Sequence, residues 1–363
     1  MQYILILFWL FFAAILGHTA GMHRRVKVLG REEWRATWTY ALVVMMPLIL
    51  LAGMRSIYFG DTLAYVRSFQ SIPSSLQGKW EYAMVTYTKD HGFYLFGAFL
   101  SIFLGQHVRY YLLILALIQG YGLMKVYRKY SCDYWFSIFV FVASTDYYSW
   151  MYNGIRQFTA VTIILMASGW IFRRRYVKAV LAICFASLFH QSALIMIPIV
   201  FIVQGKPWNW KTLAVIAGTV LIMAYSGVFA DTLDTVLADT QYSNVVRDWR
   251  YGQDDGTNPL RVLVYSVPTI LSLFCRGKIR QSGDRVVQVA CNMGIVSTAL
   301  YLVSMVTSGI FIGRLPIYCS LYANGILLPW ELKNVFGRQM RSMAIVCYLV
   351  FFYVQMHFTW RLI

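Results

Sequence analysis

Arg156 and His190 are the residues whose types and settings most call for a chemical explanation. Arg156 stands in Asn153-Gly154-Ile155-Arg156-Gln157 at the head of an apolar run, and His190 opens His190-Gln191-Ser192-Ala193-Leu194 inside another. Polar and ionisable groups in hydrocarbon are costly, so those that persist face a cavity or a partner. Asn153-Gly154 is a turn signal, which puts Arg156 in the first turn of its helix, where the backbone already favours anions. A guanidinium there adds the planar fork of donors that a phosphate or diphosphate needs. An imidazole exchanges protons near neutral pH, which suits His190 to general-base work; the plainer alternative is a histidine that bonds a backbone carbonyl at a helix break. Arg55 and Arg314 extend the set of cations. Asp61, in Gly60-Asp61-Thr62, either orients Arg55, acts as a base, or caps the helix that follows.

Other chemistries lack their residues. There is no G-x-G-x-x-G, no G-x-x-x-x-G-K-[ST] and no H-E-x-x-H. The six histidines are dispersed and the six cysteines stand singly, so neither a metal site, a cofactor nor a disulfide framework is expected.

The elements that must position these residues follow from composition. The chain has 363 residues, 59% hydrophobic and 13% charged, with mean hydropathy +0.57. That is too apolar for a soluble protein and predicts an all-α, polytopic membrane protein forming a single integral domain over 1–363. A net charge of +17 in a soluble chain would suggest nucleic acid. Here the Lys and Arg sit in short clusters between apolar runs, the pattern of cytoplasmic loops, and no nucleic-acid partner is expected.

Residues 2–17 read as an uncleaved first helix with its N-terminus outside, followed by spans at 37–53, 108–124, 133–150, 155–172, 211–230, 260–275, 286–308, 314–330 and 341–358. The basic clusters at Lys125–Lys129, Arg173–Arg175, Arg276–Arg285 and Lys333–Arg341 all fall inside on two conditions. The short run 93–104 must lie in the interface of an outer-face loop, 54–107, and the run 176–204 must form a hairpin broken near His190. This gives about twelve membrane segments. His190 then lies at the floor of a cavity open to the outside, because the twelve residues from Lys178 rise only about 18 Å. A second outer-face loop covers 231–259. Outer-face basic residues are mostly arginines, Arg55, Arg156, Arg247, Arg250, Arg314 and Arg361 among them, although the charge rule should remove them.

Taken together, Met54-Arg55, Gly60-Asp61-Thr62 with Tyr65, Gly92-Phe93-Tyr94, Asn153-Gly154-Ile155-Arg156-Gln157, Phe189-His190-Gln191-Ser192-Ala193-Leu194 and Gly313-Arg314-Leu315 with Tyr318 resemble the Wzy-type and EpsG-type bacterial polysaccharide polymerases. The Arg-Gln and His-x-Ser-Ala-Leu elements are the specific part. The sequence departs from the family at Asp90-His91-Gly92, where an acidic or Pro residue is expected directly before the Gly-Phe pair.

The resemblance implies a glycosyltransferase-C-like membrane fold in the bacterial inner membrane. It implies that oligosaccharide repeat units on undecaprenyl diphosphate are joined at the periplasmic or exterior face, with membrane lipids, a chain-length regulator and a flippase as companions. The sugar hydroxyl of one unit attacks the anomeric carbon of the growing chain, and lipid diphosphate leaves. Arg156, Arg55 and Arg314 are assigned to the diphosphate, His190 or Asp61 to the proton, and Gln157, Tyr65 and Tyr318 to substrate. A ligase passing finished glycan from the same lipid to another acceptor would need nearly the same site. A lipid-linked glycan flippase should show repeat symmetry and cations along a full path, and a membrane O-acyltransferase would draw its donor from the cytoplasm.

Overall fold

Backbone amides cannot stay unpaired in hydrocarbon, so apolar sequence of this kind folds as helix. The computed structural model is helical nearly throughout and describes residues 2–19, 21–237 and 256–359. Most of the expected loop 231–259, with Arg247, Arg250 and Arg361, lies outside the described residues. One antiparallel hairpin, His23–Val28 with Arg31–Ala36, stands where the sequence suggested only a basic loop. Its turn takes Leu29 and Gly30 at positive φ, 48° and 92°, the conformation that two-residue hairpin turns require.

Helix lengths differ from the expected spans. Val108–Tyr130, Pro259–Ser282, Arg285–Met305 and the stretch Ile312–Phe358 are long and apolar enough to cross a membrane, and the pair Trp210–Ala224 and Ser226–Thr232, bent by 97°, makes a fifth if counted as one. Seven further apolar helices among the described residues have 10–17 residues. The shortening has local causes. The run 133–150 stops at Ala143 before Ser144 and Thr145, whose φ is 55°, and the run 155–172 divides at Ala167.

The chain gathers into two compact units, 1–197 with 338–363, and 198–337. In the first, Trp38–Gly53 packs closely on Val108–Tyr130. A Cβ on Gly120 would come within 2.3 Å of Ile49, and one on Gly53 within 2.6 Å of Leu113. Buried aromatics use their polar tips on main-chain carbonyls: Tyr40 donates to Ala13, Tyr134 to Ala41, Tyr148 to Leu48, and the Trp135 indole to Leu10. Such rings bury area without orphaning a donor.

The 23-residue helix Val108–Tyr130 is about 35 Å long and separates two chemically different ends of this unit. At its C-terminal end the Arg128 guanidinium lies 3.9 Å from the Trp38 ring and donates to Ala36 O. There Arg35 Nε also donates to Lys129 O at 2.9 Å, and Arg341 pairs with Asp133 at 2.7 Å. The basic hairpin is thereby tied to the end that carries Lys125 and Lys129. The helix His91–Leu104 packs on the segment 62–86: Lys79 Nζ donates to Ser101 Oγ, and Gly97 lies against Ile72 and Tyr111. The middle of this helix therefore lies against the start of Val108–Tyr130, at Tyr111.

The second unit centres on Arg285–Met305, the most buried of its long helices. Asp284 caps it by accepting from Val286 N at 2.8 Å, and Asn292 donates to Val203 O at 2.9 Å.

Candidate active site

The site is built where four pieces of the first unit meet: the turn 54–62, the helix start at Asp90, the turn 151–156, and the break at Leu188–Ser192. The apolar run 176–204 yields a helix Tyr176–Ser187, an interruption through His190, a 3-10 helix Gln191–Ile195 and a helix Met196–Ile202. At the interruption His190 is extended, with φ −160° and ψ 120°, and its Nδ1 is 2.7 Å from Ser192 Oγ.

Arg156 occupies the second position of the helix Ile155–Met166. Gly154 before it has φ +68°, and a Cβ there would come within 2.7 Å of the Trp150 ring. A left-handed residue with no room for a side chain has to be glycine. Gln119, from the long helix, fixes the next turn by donating to Ile155 O and Thr159 Oγ1.

Arg156 Nη1 donates to Asp90 Oδ2 at 2.8 Å and to Tyr94 OH at 3.2 Å. The Tyr65 phenol bonds to it as well. The other Asp90 oxygen accepts the Gln191 amide at 3.2 Å. One carboxylate, itself only 5% exposed, thus joins the Arg156 helix to the segment carrying His190. Burial raises the Asp90 pKa above the ordinary carboxylate value, while Arg156 and the Gln191 amide pull it down.

Gly92 completes the joint. Its N–H donates to Leu188 O at 2.9 Å, and a Cβ would lie 2.6 Å from Leu188 Cβ and 2.9 Å from Leu188 O. Because backbone cannot give way as a side-chain tip can, Gly92→Ala should force the Asp90 and His190 segments apart. It is expected to lower the melting temperature in detergent by several degrees and to reduce activity at least tenfold. Wild-type melting and activity would show that the contact is dispensable.

Asp61 is exposed at the head of Thr62–Gln70 and makes no side-chain cap. Its two oxygens accept the Asn153 amide at 2.7 and 3.1 Å in the amide orientation that satisfies both groups. Arg55 is buried: Nε donates to Thr62 Oγ1 at 3.0 Å, and Nη1 to Ala52 O and Met151 O at 2.6 and 3.0 Å. Nη2 has no partner. Burial lowers its pKa to about 10, so the group stays charged at neutral pH.

Arg156, Asp61, Arg55, Tyr65 and His190 are therefore linked within one unit through Asp90, Asn153 and the 151–156 turn. Gln157, next to Arg156, is buried. Arg314, exposed, and Tyr318, buried, belong to the second unit. Sequence reasoning gave no role to Asp90 or Tyr94. The only signals were an acid one residue removed from the glycine at the head of an apolar run, in Asp90-His91-Gly92, and the tyrosine of Gly92-Phe93-Tyr94.

The EpsG family matches residues 38–362. The chain belongs to this polysaccharide polymerase family and is a helical membrane protein of polysaccharide biosynthesis. No curated protein and no solved structure matches it.

Proposed function

We propose that the protein joins oligosaccharide repeat units carried on undecaprenyl diphosphate, at the periplasmic or exterior face of a bacterial inner membrane, with Arg156 holding the diphosphate of the donor. The observation that carries the reading is the Asp90–Arg156–Tyr94 arrangement beside the His190 segment. The carboxylate fixes the plane of a partly exposed guanidinium, as a site must do if its donors are to meet charge that develops in the transition state. The acceptor sugar hydroxyl attacks the anomeric carbon, the bond from that carbon to the diphosphate oxygen breaks, and its electron pair leaves with the lipid diphosphate. His190 takes the hydroxyl proton, with Ser192 fixing the ring. Asp61 works through Asn153 to hold the turn before Arg156, and Arg55 staples 52, 62 and 151. Tyr65 and Tyr94 offer phenols and ring faces to the sugar.

The outer-face orientation is supported by the segregation of charge in the first unit, where Arg35, Lys125, Arg128, Lys129 and Arg341 gather at one end and the Arg156 cluster lies at the other. The packing of His91–Leu104 on 62–86 supports an interfacial position for that helix. About twelve segments in a glycosyltransferase-C-like arrangement remain part of this proposal; the four long helices, or five with the bent pair counted as one, support only an all-α membrane protein.

The test is incubation of the purified protein with a lipid-linked repeat unit. A ladder of lipid-linked products is expected. Transfer to a different acceptor without a ladder would make the protein a ligase, and movement of the lipid between leaflets without new bonds would make it a flippase.

A further inference from the structure

At the opposite end of the first unit, the surface between three helices carries a groove that the polymerase reading does not use. It has a volume of about 510 Å³ and adjoins a second hollow of about 220 Å³. Lys125 and Lys129 stand four residues apart on Val108–Tyr130 and so share a face. Lys178, Leu181, Ala182 and Phe185 follow the same helical spacing on Tyr176–Ser187. The floor comes from Ile163 to Arg173, with Trp170 38% exposed between the two hollows.

The lining is graded. Lys125, Lys129, Arg173 and Lys178 gather at the end nearest the loop 173–175, while Ile163, Leu181 and Phe185 continue away from it. Leu181 and Phe185 are 64% and 53% exposed. From Lys178 to Phe185 the helix rises about 10 Å, enough for the upper part of an acyl chain.

None of the four cations is ion-paired among the described residues. They touch rings, main chain and a phenol: Lys125 lies over Tyr121 and Lys129 over Tyr130, and Arg173 bonds to Gly169 O and to the Tyr130 hydroxyl. Arg173 and Lys125 both repel the Lys129 ammonium. Like charges held together above an apolar trough, with a tryptophan at the boundary, call for an anion that carries hydrocarbon.

We infer that this groove binds one acidic glycerophospholipid, its phosphate among Lys125, Lys129, Arg173 and Lys178 and an acyl chain along Leu181 and Phe185. In the orientation proposed above the lipid belongs to the cytoplasmic leaflet, but the binding itself does not depend on that reading or on catalysis. A bound lipid would hold the three helices together on the face away from the Arg156 cluster.

The test uses the full chain, stripped of lipid in detergent, with native mass spectrometry to count bound molecules. Dioleoyl phosphatidylglycerol is expected to bind at least tenfold more tightly than dioleoyl phosphatidylcholine. Lys125→Ala combined with Arg173→Ala should erase the difference, whereas Lys206→Ala combined with Arg276→Ala should leave it intact. Leu181→Asn keeps all four cations, adds no charge, and should weaken phosphatidylglycerol about fivefold, which reads the apolar half even if the double groove variant elutes as aggregate. Equal retention of the two lipids, equal loss in the control variant, an unchanged Leu181→Asn, or displacement by chain-free glycerol phosphate would each overturn the inference.

Discussion

Replacing Arg156 by lysine is expected to cut the polymer formed per folded enzyme by roughly ten- to a hundred-fold. Lysine keeps the charge but has no planar fork, so it cannot contact Asp90 and Tyr94 as Arg156 does and still offer paired donors to a diphosphate. Each lost charge-assisted bond costs about 1.5–3 kcal/mol, and about 1.4 kcal/mol is a factor of ten in rate. Arg156→Ala should fall further. Arg173→Lys is the control: that side chain is exposed at the opposite end of the unit and is expected to be nearly silent. Activity is read as polymer per monodisperse protein in detergent. Near-normal polymerisation by Arg156→Lys would reduce the residue to a point charge, and normal activity in Arg156→Ala would remove it from the site.

The second large effect is expected at Asp90, where activity and stability should part company. Asp90→Asn keeps an oxygen for the Gln191 amide but no longer orients Arg156 with a carboxylate, so polymerisation should fall at least tenfold. Stability should change little. The folded-state pKa of Asp90 is raised, chiefly by burial, so its contribution to folding is present at acid pH and is lost as pH rises through that pKa. At neutral pH the ionised group already bears a cost that asparagine avoids.

The same shift sets the sign of the pH dependence. Arg156, Lys89 and His91 are the charged groups that favour the ionised form of Asp90, yet burial outweighs them. Wild-type activity should therefore lose this carboxylate, and decline, at a pH above the ordinary aspartate range of about 3.9. Asp90→Asn should lack that contribution to the acid limb and keep the one that protonation of a general base at His190 imposes. An Asp90→Asn enzyme with wild-type turnover would show that Asp90 does not orient Arg156.

Arg156 and His190 stood out in the sequence because each interrupts apolar runs, and a break near His190 followed from the charge rule, which needs 176–204 to turn back if Arg276–Arg285 are to lie inside. Asp90 did not stand out. It ends the polar stretch Tyr87-Thr88-Lys89-Asp90, where an acid reads as a helix cap, and its partners Arg156 and Gln191 lie 66 and 101 residues along the chain. Arg55 shows the converse. Its type and loop position suit a phosphate ligand, but sequence does not distinguish a guanidinium that meets substrate from one whose donors are taken by Thr62, Ala52 and Met151. The hairpin 23–36 was hidden by its density of charge, which reads as loop, while its pairing is a main-chain matter. Span lengths were misjudged for a related reason. Hydropathy averages over Ser144, Thr145 and Ala167, whose backbone geometry ends the helices.

The most direct measurement of the central claim is the affinity of the purified protein for undecaprenyl diphosphate, the leaving group itself, compared with the monophosphate. If Arg156, oriented by Asp90, holds two diphosphate oxygens, the wild type should bind the diphosphate at least tenfold more tightly, and Arg156→Lys and Asp90→Asn should each erase most of that preference. Equal affinity for the two lipids, or a preference that survives in Arg156→Lys, would contradict the account.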